Sequence, residues 1–199
     1  SGRVSVPILW DKRTAAIVNN ESADIIRMLN SAFGTPTIDY YPAALRSEID
    51  EVNALVYENV NNGVYRCGFA GKQAAYEAAA RRLFDAVDVL EQRLSRSRYL
   101  VGNTLTEADW RLFTTLVRFD AVYYGHFKCN VRRIEDYPSL SGYLRDLYQI
   151  HGIAETVNFD HIKRHYYMSH THLNPGRIVP VGPALDFTRP HDRMRLASA

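Results

Sequence analysis

The sequence predicts a mainly α fold: an all-helical domain preceded by a β-hairpin and one helix. Three observations carry this reading. β-rich runs are confined to residues 4–18. From Ala43 onward, apolar residues recur at helical spacing with only short polar breaks between them. Leu105-Thr106-Glu107-Ala108-Asp109-Trp110 has the form of a capping box, with Leu105 and Trp110 placed as a hydrophobic staple.

Val4 to Trp10 and Ala15 to Val18 are the two β-rich runs, and the polar Asp11-Lys12-Arg13 between them suits a turn. Ile25, Ile26, Met28 and Leu29 then mark one helix face, which Gly34 and Pro36 should stop. Residues 34–42 read as a linker. The helical domain opens with Leu45, Ile49, Val52, Leu55 and Val56 on one face, and Asn61-Asn62-Gly63 should interrupt that helix before Tyr65. Ala74 to Leu94 is alanine-rich, with Leu83, Phe84, Val87, Leu90 and Leu94 on one stripe, so a long helix is expected. The basic Arg93, Arg96 and Arg98 should lie in solvent at its C-terminal end, where cations complement the helix dipole.

Thr106 and Asp109 open the next helix, which carries Leu112, Leu116 and Phe119, and Tyr123-Tyr124-Gly125-His126-Phe127 should break it. A further helix is expected from Pro138 to His151-Gly152, and another from about Phe159 to Ser169. After His172, the prolines at 180, 183 and 190 suggest an extended tail over the surface. The domain plan is therefore 1–33, a linker at 34–42, a helical domain at 43–172 and a tail at 173–199.

Composition narrows the function classes. The 24 basic and 22 acidic residues leave a net charge of +2, which supplies no field for nucleic acid or an acidic membrane. No apolar run approaches the roughly 20 residues of a membrane span, and Ser1-Gly2-Arg3 does not open a signal peptide, so a soluble, cytoplasmic protein is expected. Cys67 and Cys129 form no CxxC pair, which suits a reducing compartment. His161 and His165 stand four apart with His170 and His172 close behind, a spacing open to a metal. No HExxH pattern accompanies them, so no metal is expected.

Several strings are more specific. Val6-Pro7-Ile8-Leu9-Trp10-Asp11, Asn19-Asn20-Glu21-Ser22, Asn61-Asn62-Gly63-Val64-Tyr65, Leu105 to Trp110, Phe119-Asp120-Ala121-Val122-Tyr123 and Gly152 to Ile162 followed by His165-Tyr166-Tyr167 resemble the glutathionyl-hydroquinone reductases, the Xi-class glutathione S-transferases. The resemblance implies that residues 1–33 are the closing part of a thioredoxin-like glutathione-binding domain and that 43–172 are the all-α glutathione S-transferase C-terminal domain.

It also implies glutathione-dependent reduction of glutathionyl-hydroquinones to hydroquinones with release of oxidised glutathione, in a cytoplasmic homodimer formed through the helical domain. Val6, before a cis proline, and Glu21 with Ser22 at a helix N-terminus would bind glutathione. Tyr65, Tyr123 and Tyr166 match the tyrosines that line the hydroquinone pocket, where a phenol offers an aromatic wall and a neutral donor. The family's nucleophile is a cysteine in a Cys-Pro-Trp type motif, and this sequence has none: Cys67 lies in Tyr-Arg-Cys-Gly and reads as a small buried side chain. The 199-residue chain is thus expected to be inactive alone. The competing expectation is a non-catalytic helical module for dimerisation or for binding an aromatic ligand.

Overall fold

The computed structural model describes residues 6–34 and 38–197, and the chain divides into two units, Ser1–Ser47 and Glu48–Ala199. In the first unit, strands β1 (Leu9–Asp11) and β2 (Ala16–Asn19) pair antiparallel, Trp10 opposite Ile17, with an irregularity between Leu9 and Trp10. The Asp11 carboxylate closes the turn by accepting from the Arg13 amide at 2.8 Å and the Thr14 hydroxyl at 2.8 Å. Over its described residues β1 starts later than the sequence suggests, whereas β2 keeps the expected four residues, shifted by one. Trp10, Ile17 and Val18 stay about half exposed, as expected of a two-stranded sheet with little surface to bury against. Helix α1 (Ser22–Ser31) follows, and its capping residue Ala32 bonds back to Met28 before Gly34 turns at φ 110°. Val4 and Pro36, to which the sequence assigned a strand and a stop, lie outside the described residues.

The helical architecture of the second unit follows its apolar stripes. Helix α2 (Arg46–Val56) leads into a π-helical segment, Tyr57–Asn61, and then into α3 (Gly63–Gly68). The break expected at Asn61-Asn62-Gly63 is not a break. Asn62 is helical at φ −81°, and its amide reaches Tyr57 five residues back. Asn61 is held in place by donating to the Arg111 carbonyl at 3.1 Å and the Thr115 hydroxyl at 2.5 Å, so a tertiary anchor replaces the turn that its residue type favours. Gly63 serves close packing instead, since a Cβ there would stand 3.5 Å from Leu83.

Helix α4 (Gln73–Leu94) buries Leu83, Phe84, Val87, Leu90 and Leu94, the predicted stripe. Helix α5 (Glu107–Arg118) begins at the capping box, and its Asp109 is fully buried. A second π-helical segment, Phe119–Tyr123, carries the path on into α6 (Tyr124–His126). The chain therefore remains helical past Tyr123 and turns only at Lys128, φ 58°. Helix α7 (Pro138–Tyr148) is capped from α4, where the Glu91 carboxylate accepts from the Ser139 and Leu140 amides at 2.8 Å each. It ends at Tyr148, short of the expected His151. Helix α8 (Phe159–Ser169) closes the series.

The basic run after α4 departs from the sequence expectation. Arg98 is not solvated but forks onto Asp146 with two bonds of 2.9 Å, because a carboxylate only 4% exposed needs a charged partner. The tail has no α-helix or strand among its described residues from 173 to 192, yet Phe187, Arg193 and Leu196 are buried. Arg193 donates to the Ser97 and Arg98 carbonyls, at 2.5 and 2.9 Å, and lies beside Gly142, where a Cβ would come within 3.4 Å of it.

Candidate functional site

Tyr65 comes from α3, Tyr123 from the end of the second π-helical segment and Tyr166 from α8. Their hydroxyls meet. The Tyr65 and Tyr166 oxygens are 2.6 Å apart, and those of Tyr123 and Tyr166 are 2.8 Å apart. Tyr166 is thus the centre of a three-hydroxyl chain. Since each phenol donates once and can accept twice, the chain keeps free acceptor capacity for an incoming hydroxyl. Only Tyr65 is open to solvent, at 37% exposure against 3% for Tyr123 and 6% for Tyr166. Burial pushes the pKa of Tyr123 and Tyr166 well above the phenol value, so both remain neutral donors at pH 7.

Phe127, fully buried, is the base of this cluster. It stacks on Tyr123 at 5.4 Å and 18°, and lies 5.3 Å from Tyr65 and 5.8 Å from Tyr166 between ring centroids. Gly68 makes the contact possible, because a Cβ at that position would fall 2.3 Å from the Phe127 ring.

A histidine pair adjoins the tyrosines. His126 Nε2 and His170 Nδ1 are 3.2 Å apart, and the two rings are nearly parallel at 15°. Burial, with help from His170, Lys128 and His172, holds the His126 pKa down to about 4, and burial likewise lowers that of His170. The consequence for stability has a definite sign. Above pH 6.5, His126 is neutral folded or unfolded; between 6.5 and about 4, only the unfolded chain binds its proton. Stability is therefore expected to fall on acidification through that window by about 1–2 kcal/mol, allowing for solvent near the pair. Urea titrations at pH 7.5 and 5 check this: His126→Phe should flatten the difference, and an unchanged slope would remove His126 as its source.

In the first unit the Val6–Pro7 peptide bond is cis, and Val6 is 90% exposed. Glu21 caps α1 by accepting from the Ala23 amide at 3.2 Å and the Ser22 hydroxyl at 3.4 Å, while its own amide donates to the Asn19 side chain at 2.7 Å. The pair Glu21 and Ser22 thus stands at a helix N-terminus. Cys67 and Cys129 are both buried, at 3% and 0% exposure, and the hydrogen bond with the Cys67 sulfur, followed by burial, pushes the Cys129 thiol up. Among the described residues, no three His, Cys, Asp or Glu side chains cluster as metal ligands, so His161 and His165 are not joined into such a set. No helix among them is long and apolar enough to cross a membrane.

Sequence reasoning missed Phe127, the His126–His170 bond and both π-helical segments. One signal was available. Phe69 follows Tyr65 by four residues and His170 follows Tyr166 by four, a spacing that stacks side chains on one helix face.

Comparison with known families gives the class of the helical unit: residues 73–146 match the glutathione S-transferase C-terminal domain. The glutathionyl-hydroquinone reductase YqjG of Escherichia coli is 58% identical over 196 residues, covering 97% of this chain and 60% of that protein. The solved glutathione-bound structure of YqjG superposes with a TM-score of 0.94 at 57% identity, over 97% of this chain and 64% of that one. Glutathione transferase Xi 1 of Trametes versicolor gives a TM-score of 0.90 at 57% identity, over 95% and 67% respectively. The chain belongs to the Xi-class glutathione transferases, the glutathionyl-hydroquinone reductase family. It spans about 60% of the length of the curated relative.

Proposed function

We propose that the chain forms the substrate-holding part of a cytoplasmic, homodimeric glutathionyl-hydroquinone reductase, in which a second glutathione releases hydroquinone and oxidised glutathione. The observation that carries this reading is the hydroxyl chain Tyr65–Tyr166–Tyr123, with its spacings of 2.6 and 2.8 Å. It offers neutral donors to a phenolic oxygen and an aromatic surround to its ring. Tyr65 contacts the substrate at the open end. Tyr123, buried behind Tyr166, positions it. Val6, Glu21 and Ser22 bind glutathione: Val6 is exposed for pairing with a peptide ligand, and the N-terminus of α1 suits a carboxylate.

The nucleophile is another matter. Thiol exchange needs an accessible thiolate, and both cysteines of the 199-residue chain are buried. The polypeptide alone is expected to bind a glutathionyl-hydroquinone without reducing it. Chromatography of the conjugate after incubation with excess glutathione tests turnover, and titration of the conjugate tests binding. Tyr65→Phe should weaken that binding about fivefold, the worth of one hydrogen bond. Brisk glutathione-dependent reduction would overturn the inactivity, and binding indifferent to Tyr65→Phe would overturn the site. Conjugate binding without turnover also accommodates a non-catalytic aromatic-ligand module, which both buried thiols favour.

A further inference from the structure

The helices that bring Tyr65 and Tyr166 together repeat the meeting one turn later. Phe69, the cap of α3, and His170, the cap of α8, pack edge-on with centroids 5.2 Å apart at 84°. His170 lies 5.6 Å from the Tyr166 ring, and His172 flanks Phe69 at 5.4 Å. The result is two layers: hydroxyls in one, and an imidazole with an apolar ring in the next. A helical turn rises about 5.4 Å. Two hydroxyls set para across a benzene ring are separated by about as much as one such turn.

His170 is also chemically prepared. Its Nδ1 is engaged by His126 Nε2 at 3.2 Å, and its own Nε2 has no hydrogen-bond partner among the described residues. In a neutral imidazole one nitrogen donates and the other accepts, so the role Nδ1 takes sets that of Nε2. A hydroxyl can both donate and accept, so either tautomer suits it. Phe69 remains 46% exposed beside it, an apolar wall for ring carbons.

We infer that His170 Nε2 is the hydrogen-bond partner of the second hydroxyl of a para-dihydroxyaryl ligand whose first hydroxyl rests on Tyr65 and Tyr166, with His126 as the positioning residue. This rests on the reading of the tyrosines given under Proposed function. It makes the site a measure of diol geometry: a single phenol reaches one layer, and a meta-diol cannot place both oxygens.

The test uses the 199-residue chain titrated anaerobically with 1,4-dihydroxybenzene, 1,3-dihydroxybenzene and phenol. The para-diol should bind about five- to tenfold more tightly than the other two, the worth of one added hydrogen bond. His170→Phe should erase that preference, His126→Phe should weaken it, and His170→Gln, with an amide near the Nε2 position, should restore part of it. A para preference that survives His170→Phe, while Tyr65→Phe still weakens phenol binding, overturns the role of His170 alone. Phenol affinity indifferent to Tyr65→Phe, or no binding of any of the three, overturns the tyrosine site as well.

Discussion

Asp109→Ala is expected to destabilise the helical unit by about 4 kcal/mol, most of the stability of a domain at the lower end of the usual range of about 5–15 kcal/mol. The carboxylate is fully buried and accepts four hydrogen bonds. One oxygen takes the Leu100 amide at 2.9 Å and the Tyr143 hydroxyl at 2.8 Å; the other takes the Thr106 amide at 2.8 Å and the Thr106 hydroxyl at 3.1 Å. Burial raises the Asp109 pKa and these donors oppose it, so the group is a balance of costs that alanine would not inherit. Removing it strands two backbone N–H groups and a phenol on fully buried residues, at about 1–3 kcal/mol for each group left unpaired. Asp109→Asn keeps the volume but turns an amide N–H₂ toward one pair of donors, and should lose about half as much. Tyr143→Phe removes one donor without stranding another and should cost about 1 kcal/mol. Equilibrium urea unfolding ranks the three; an alanine variant within 1 kcal/mol of the parent would show that Asp109 is dispensable.

That residue marks what the sequence could and could not disclose. The capping box made Thr106 and Asp109 legible, because the motif is local and its partners lie three residues apart. The bonds from Leu100 and Tyr143 were not legible, since they arrive across 9 and 34 residues. Helices α4 and α8 were readable from periodicity to within a residue at either end. The first π-helical segment was not, because Asn61-Asn62 has the composition of a turn while the Asn61 side chain is tied to α5 by bonds that no local propensity encodes. Arg98 looked like surface charge for the same reason, since its partner Asp146 is distant in sequence, and the tail read as extended over the surface buries Arg193 on the carbonyls of residues 97 and 98. The tyrosines at 65, 123 and 166 have no shared spacing. They were identifiable only through the strings around them, and their hydroxyl contacts needed the fold.

Gly68→Ala should produce the second large effect, and unlike Asp109→Ala it should strike stability and site together. The added Cβ would fall 2.3 Å from both Cγ and Cδ1 of Phe127 and 2.9 Å from its Cβ, distances at which something must move. Phe127 cannot move freely. It is fully buried and touches Tyr65, Tyr123, Tyr166 and His170 within 6 Å between ring centroids. The remaining relief is for α3 to withdraw, and α3 carries Tyr65, so the 2.6 Å contact with Tyr166 would open. Overpacking of this kind costs about 3 kcal/mol, the upper part of its usual range. Binding of 1,4-dihydroxybenzene should fall with it, even under conditions where the variant remains folded by circular dichroism. Gly71→Ala is the control, since no atom lies within 4 Å of its would-be Cβ, and it should change neither property. Pairing Gly68→Ala with Phe127→Leu should recover part of the stability through a positive coupling between the two sites. If Gly68→Ala behaves like Gly71→Ala, α3 and Phe127 are not in the close contact that holds the tyrosines in register.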